Sequence, residues 1–129
     1  MRGRTSARAP VVTIASNVTA GLPRAYLRTC LLLLLTEGPS HGYELLEDIH
    51  DLGLNSAEAG GLYRALRSMD EAGHVRSWWE PSESGPARRT YEITPAGRAA
   101  LDRHVDDAGA VAKLLNGLVN RHCNTVRPS

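Results

Sequence analysis

Lysine is nearly missing from this 129-residue chain: Lys113 stands alone against fourteen arginines. The formal net charge is only +1. Overall charge therefore makes no case for a polyanionic partner, and such a case must rest on where the arginines lie. Arginine's planar fork suits guanine edges and phosphates, although a GC-rich coding sequence produces the same bias. Cysteine is scarce too. Cys30 and Cys123 lie far apart in no metal-like spacing, and Cys30 sits in an apolar run as a small hydrophobe. That usage fits a reduced, cytoplasmic setting. Long apolar runs are absent. Leu31–Leu35 is too short to cross a bilayer, and no apolar stretch follows Arg2, Arg4 and Arg8 to suggest a signal peptide. His104, His122 and Cys123 lack the tight spacing of a metal site. There is no internal repeat, nucleophile elbow, phosphate loop or paired catalytic motif. The expectation is a protein without catalytic residues, metal, cofactor or membrane span.

What is present is a sequence of periodic segments. Residues 1–21 carry no helical stripe and read as a disordered arm, or as the product of a start codon placed too far upstream. Leu22-Pro23 opens a helix in which Leu27, Cys30, Leu31 and Leu34 form a stripe that Leu32, Leu33 and Leu35 widen. A helix apolar nearly all round must be covered on more than one side. Gly38-Pro39 ends it. Ser40 is placed to cap a second helix. There Gly42, Leu45, Leu46 and Ile49 form the buried stripe, and Glu44, Glu47 and Asp48 turn outward. After a turn over 51–56, Asn55 and Glu58 have capping-box spacing. A third helix runs from about Ala57 to Ala72, with Leu62, Leu66 and Met69 buried and Gly73 as its stop.

Two strands follow, Val75–Glu80 and Arg88–Ile93, joined by a loop over Pro81–Pro86. Thr94-Pro95 supplies a cap and an N1 proline for a last helix. Along it Leu101, Val105, Ala108, Ala112, Leu115, Val119 and His122 alternate in steps of four and three, the seam of a coiled coil. Val111, Leu114 and Leu118 add a second apolar flank. The predicted architecture is mainly α (α+β): a winged helix-turn-helix over 22–94 with a two-stranded wing, a dimerisation helix over 95–123, and a tail over 124–129.

A helix-turn-helix lays its second helix in the DNA major groove, which assigns that role to the third helix here. Tyr63, Arg64, Arg67 and Ser68 point outward from it. Arg64 and Arg67, three apart, share a face and can each hold a guanine or a phosphate. Gly60 and Gly61 permit close backbone approach. Arg88 and Arg89 begin the second strand beside the loop, where a wing meets phosphates. The bland alternatives are solvated arginines on a surface helix and a charged edge that resists pairing.

On these residues the chain resembles the PadR family of transcriptional regulators. The resemblance is carried by Leu31-Leu-Leu-Leu-Leu-Thr-Glu-Gly-Pro-Ser-His-Gly-Tyr-Glu-Leu45, Gly61-Leu-Tyr-Arg-Ala-Leu66, Asp70-Glu-Ala-Gly73, Trp79-Glu80 and Arg89-Thr-Tyr-Glu-Ile-Thr-Pro-Ala-Gly97. It implies a winged-helix homodimer that binds inverted repeats in double-stranded DNA, usually as a repressor. It also implies that Tyr43 and Tyr63 lie near the DNA backbone or the adjoining core, and that a single C-terminal helix mediates dimerisation.

The chain departs from the family's pattern in three places. It has Gly61 where a serine or threonine is usual, Arg64 where a proline is usual, and His74 where a leucine is usual. Operator sequence is therefore not transferable, and His74 reads as a partly exposed cap. Trp79 matches the family's tryptophan and is expected to pack inward. Trp78 is expected to face out or to lie on the dimer partner, and is the candidate contact for a small planar or phenolic effector. The dimerisation helix itself has no aromatic residue for stacking one. The rival reading is a winged-helix module that binds protein and has lost DNA binding; the basic outward face speaks against it.

Overall fold

The computed structural model describes residues 24–54 and 57–126. Seven elements follow in order: α1 (Arg24–Leu35), β1 (Ser40–His41), α2 (Gly42–Asp51), α3 (Ala59–Glu71), β2 (Val75–Ser82), β3 (Gly85–Ile93) and α4 (Pro95–Val126). The mainly helical winged-helix class expected from sequence is the one found. The arm over 1–21, the Leu22-Pro23 start, Asn55 of the proposed capping box and the last three residues lie outside the described residues.

The leucine run makes α1 the centre of the fold. Leu31, Leu32, Leu34 and Leu35 are buried, and α1 touches α2, α3, β3 and α4. Leu33 alone of the run is open, at 47% exposure. Leu45 and Ile49 of α2, Leu62, Leu66 and Met69 of α3, and Val75, Tyr91 and Ile93 of the sheet close the core around it. Cys30 packs on that core, half-buried, and burial pushes its thiol above the ordinary range. Asp48, expected outward, is buried. It stands three residues after Leu45, so it falls on the flank of the buried stripe.

Local hydrogen bonding sets the helix ends. Gly53 (φ +103°) and Gly73 (φ +80°) both take the left-handed conformation. Leu54 N–H donates to Ile49 O and Gly53 N–H to His50 O; His74 N–H donates to Met69 O and Gly73 N–H to Asp70 O. These are paired Schellman closures that satisfy the last carbonyls of α2 and α3. The N-termini differ from expectation. Ser40 does not cap α2: the cap position is His41, which makes no side-chain cap bond, while Ser40 Oγ donates to Glu44 Oε1 at 2.9 Å. Glu58 precedes α3, again without a side-chain cap.

Ser40 is drawn away because it belongs to a strand. Ser40 pairs with Tyr91 and His41 with Thr90, giving a three-stranded antiparallel sheet in the order β1-β3-β2. The wing hairpin is also longer than expected, with ladder pairs running from Val75↔Ile93 to Ser82↔Gly85. The predicted six-residue loop thus shrinks to Glu83-Ser84. Pro81, which has no N–H to give, sits at the register irregularity between Glu80 and Ser82.

The helical layer, the wing and α4 meet at Thr94. Its hydroxyl donates to Gly73 O at 2.6 Å and accepts from Gly97 N–H at 3.0 Å. Its own N–H donates to His74 O at 3.1 Å. The first turn of α4 lies so close that a Cβ on Gly97 would stand 2.0 Å from His74 O. Ala100 and Leu101 then enter the core. Leu101, placed by sequence at the head of the dimer seam, is instead buried in its own protomer at 7% exposure, because the first turns of α4 are pinned against α1.

Gly97→Ala drives a methyl into backbone at this junction and should lower stability by at least about 2 kcal/mol. Gly117→Ala, whose Cβ would meet nothing within 4 Å, should raise it by about 0.5–1 kcal/mol through helix propensity. Urea unfolding of the two variants measures both. Equal midpoints would show that the junction relaxes without cost.

Candidate nucleic-acid interface

Burial of Leu62, Ala65, Leu66 and Met69 fixes the rotation of α3 and leaves Tyr63, Arg64 and Arg67 exposed. The outward residues divide between two sides. Towards α1, Arg64 bends back along its own helix, and Cβ atoms on Gly60 and Gly61 would lie 3.4 and 3.8 Å from its guanidinium nitrogens. These are ordinary contact distances, so Arg64 lies against this turn without requiring glycine there. With Leu27, Arg28 and Glu58 it lines an open groove of about 320 Å³. Ser68 lies on this side too, half-buried, where its hydroxyl accepts from Arg28 Nη2 at 2.9 Å. Among the described residues, neither Arg64 nor Arg67 has an acidic partner.

Towards the wing, the ring of Tyr63 lies directly on Gly42. A Cβ there would stand 2.3 Å from Tyr63 Cε1. Only glycine at the start of α2 lets the tyrosine of α3 rest so low. Tyr43, Tyr63, Trp79, Arg88 and Arg89 then surround a second open groove of about 510 Å³ between α2 and the wing.

The wing is tied to α3 through Asp70. Its carboxylate accepts from Ser77 Oγ at 2.6 Å and lies 3.7 Å from Arg89 Nη2, while Arg89 Nε donates to Ser77 Oγ at 3.0 Å. Arg89 also stacks over Trp79, 5.4 Å from the ring centroid. Arg89 is thus held from three sides within the protomer. Arg88 differs: its Nη1 lies 3.3 Å from His41 Nε2. A guanidinium has no acceptor, so this His41 nitrogen is the unprotonated one in that contact. Glu44 Oε1 lies 4.0 Å from the same nitrogen. Behind these groups Tyr91 is buried, and burial pushes its phenol above the ordinary tyrosine range, opposed by Arg89.

The tryptophans reverse the sequence expectation. Trp79 is 62% exposed, while Trp78 is half-buried. Alternation does put them on opposite faces of β2. Trp79 shares the face of Val75 and Ser77 that meets α3, but it lies farther along the strand towards the wing tip, with Arg89 stacked on it. Trp78 lies on the other face, 5.9 Å from the guanidinium of Arg76, and its indole N–H donates to Glu80 at 3.2 Å. Arg76 also pairs with Glu92 across the strands.

Sequence reasoning brought together Tyr43, Tyr63, Arg88 and Arg89, which the structure gathers in one groove, and Gly61, Arg64 and Ser68, which lie on the opposite flank of α3. It missed His41, Arg28, Asp70 and Trp79. Three of them stand in the motif blocks, but what each one touches depends on contacts between distant segments, which no local pattern states.

On α4, Val105, Leu115 and Val119 of the expected seam are exposed, as are Val111, Leu114 and Leu118. Ala112 is exposed and Ala108 half-buried. Among the described residues, no three His, Cys, Asp or Glu side chains converge as metal ligands, and no helix is long and apolar enough to cross a membrane.

The pattern of the transcriptional regulator PadR-like family matches residues 31–103. The structure is similar to a PadR-like transcriptional regulator from Bacillus cereus, with 26% identity and a TM-score of 0.66 over 74% of this chain and 93% of that one. It is similar to a transcriptional regulator from Clostridium thermocellum at 28% identity and a TM-score of 0.66, covering 83% of this chain and 99% of that one. A PadR family transcription regulator from Clostridium difficile, 21% identical, shares the fold with a TM-score of 0.66 over 73% of this chain and 98% of that one. No curated protein matches the chain.

Gly42→Ala pushes the exposed Tyr63 ring off its seat and should cost no more than about 1 kcal/mol. In a Tyr63→Ala background most of that cost should vanish, because the ring that the methyl strikes is gone. A double-mutant cycle in urea reads the coupling. Additive losses would mean that Gly42 is required for another reason.

Proposed function

The chain belongs to the PadR-like family of transcriptional regulators, and we propose that it acts as a cytoplasmic homodimer on an inverted-repeat site in double-stranded DNA, as a repressor. The observation that carries the DNA reading is the outward face of α3. Arg64 and Arg67 are exposed there without acidic partners among the described residues, beside a wing that carries Arg88. In a winged helix-turn-helix this is the helix that enters the major groove. The division of labour follows: residues 22–94 bind DNA and α4 dimerises. A protein-binding module that had lost DNA would have no use for this basic face.

The dimer reading rests on α4. From Val105 onward its large apolar residues are exposed, and a monomer would leave a long apolar strip in water. The working seam is Val105, Ala108, Ala112, Leu115 and Val119, without Leu101. For a planar or phenolic effector, Trp78 offers little: its indole N–H is engaged by Glu80 and Arg76 lies over its ring.

The two basic groups should respond differently. Arg64→Ala should cost about 1–3 kcal/mol and relax preference at one position per half-site, as expected for a base-reading arginine. Arg88→Ala should weaken all sequences alike and reduce the salt slope by about one. Arg89→Ala should change the slope less, because Asp70 already offsets part of its charge. Binding curves on selected and scrambled duplexes at several salt concentrations separate these outcomes. Sequence-independent losses for Arg64→Ala would refute base reading.

Leu115→Asp places a charge in the α4 seam. It should yield monomers in sedimentation and abolish binding to the paired site. A wild-type chain that stays monomeric at micromolar concentration would overturn the dimer.

A further inference from the structure

We propose that Trp79 is itself a DNA contact, its open indole face packing on the sugar-phosphate backbone while Arg89 braces the other face. The inference rests on the DNA-binding reading above and adds a residue and a mode of contact to it. Trp79 is 62% exposed, Tyr43 66% and Tyr63 48%, and all three border one groove. An exposed aromatic cluster of this kind marks an interaction surface. The ring is held for the task, with Arg89 stacked on it and Arg89 in turn fixed to Asp70 and Ser77. A braced indole loses little freedom when a partner arrives.

The partner's chemistry follows from the neighbours. Arg88 and Arg89 set cations on the rim, which suits phosphates. Tyr63 shares its face of α3 with Arg67, four residues on and also exposed, so the groove continues towards that arginine. Between phosphates a duplex presents the C–H edges of deoxyribose, which are apolar enough to pack on an aromatic face. The indole N–H of Trp79 makes no hydrogen bond among the described residues, unlike that of Trp78. It remains a donor for a phosphate oxygen. A polyanion with apolar sugar edges matches each of these features at once.

The chain has two tryptophans, so Trp78→Phe leaves Trp79 as the sole tryptophan, which can be excited selectively over the tyrosines. The probe is a duplex of roughly 30 bp, long enough for two half-sites, selected from a random library by the full chain. On binding it, acrylamide quenching of Trp79 should fall by about twofold as the ring is enclosed. Trp79→Ala should weaken binding on the order of tenfold, for selected and scrambled duplexes alike, from the loss of roughly half an indole's burial. Trp79→Phe should recover part of it. In the unsubstituted chain, fluorine-labelled tryptophan gives an independent readout: the Trp79 resonance should move on binding and the Trp78 resonance should not. A tight complex in which Trp79 stays as open to acrylamide as in the free protein overturns this inference alone. Selection that retains no duplex overturns the DNA reading, and this inference with it.

Discussion

The hydroxyl of Thr94 holds together the three parts whose relative placement matters here. One oxygen donates to the carbonyl that ends α3 and accepts from the first turn of α4, while the adjoining backbone N–H ties down His74. Gly73 must turn left-handed to offer its carbonyl, and Gly97 must lack a side chain for α4 to come within reach. The junction is small and partly open to water, so its hydrogen bonds contribute only modestly to total stability. Their effect is geometric. They set the angle between the helix that carries the exposed arginines, the wing, and the helix that carries the apolar seam.

A second tie works at the outer end of the same interface. Asp70, on the last turn of α3, binds Ser77 and Arg89 of the two wing strands. An acid there draws one arginine of the wing inward and leaves its neighbour Arg88 with a contact to His41 instead. Adjacent arginines that look equivalent in sequence therefore sit in different electrostatic settings. Arg89 acts as a brace for Trp79, and Arg88 is the more available cation of the wing.

The long C-terminal helix has two regimes along one continuous rod. α4 has 32 residues and extends about 48 Å, longer than the core it touches. Ala100 and Leu101 are inside that core; from Val105 on, the large apolar side chains stand in solvent. The periodicity does not change between the two parts. Only the presence of α1 alongside the first of them does. A stripe that continues past its own core is the form that a helix takes when a partner supplies the rest of the covering surface.

Much of this was legible before any coordinates. Helical periodicity identified the buried faces of α1 and α3, and with them the outward position of Tyr63, Arg64 and Arg67, because a stripe at i, i+3, i+4 and i+7 fixes a helix's rotation. The motif residues from Leu31 to Gly97 identified the winged-helix class. What remained hidden depends on contacts between distant segments. β1 has two residues and no pattern of its own; it exists because Ser40 and His41 find β3 some fifty positions away. Strand alternation places Trp78 and Trp79 on opposite faces, but it carries no information about where the helices covering those faces end, and so it cannot state which of the two is covered. The same blindness put Leu101 in the seam. A sequence states which residues share a face, through the fixed geometry of its helices and strands. Which other element covers that face, and for how far, is decided only when the chain closes on itself.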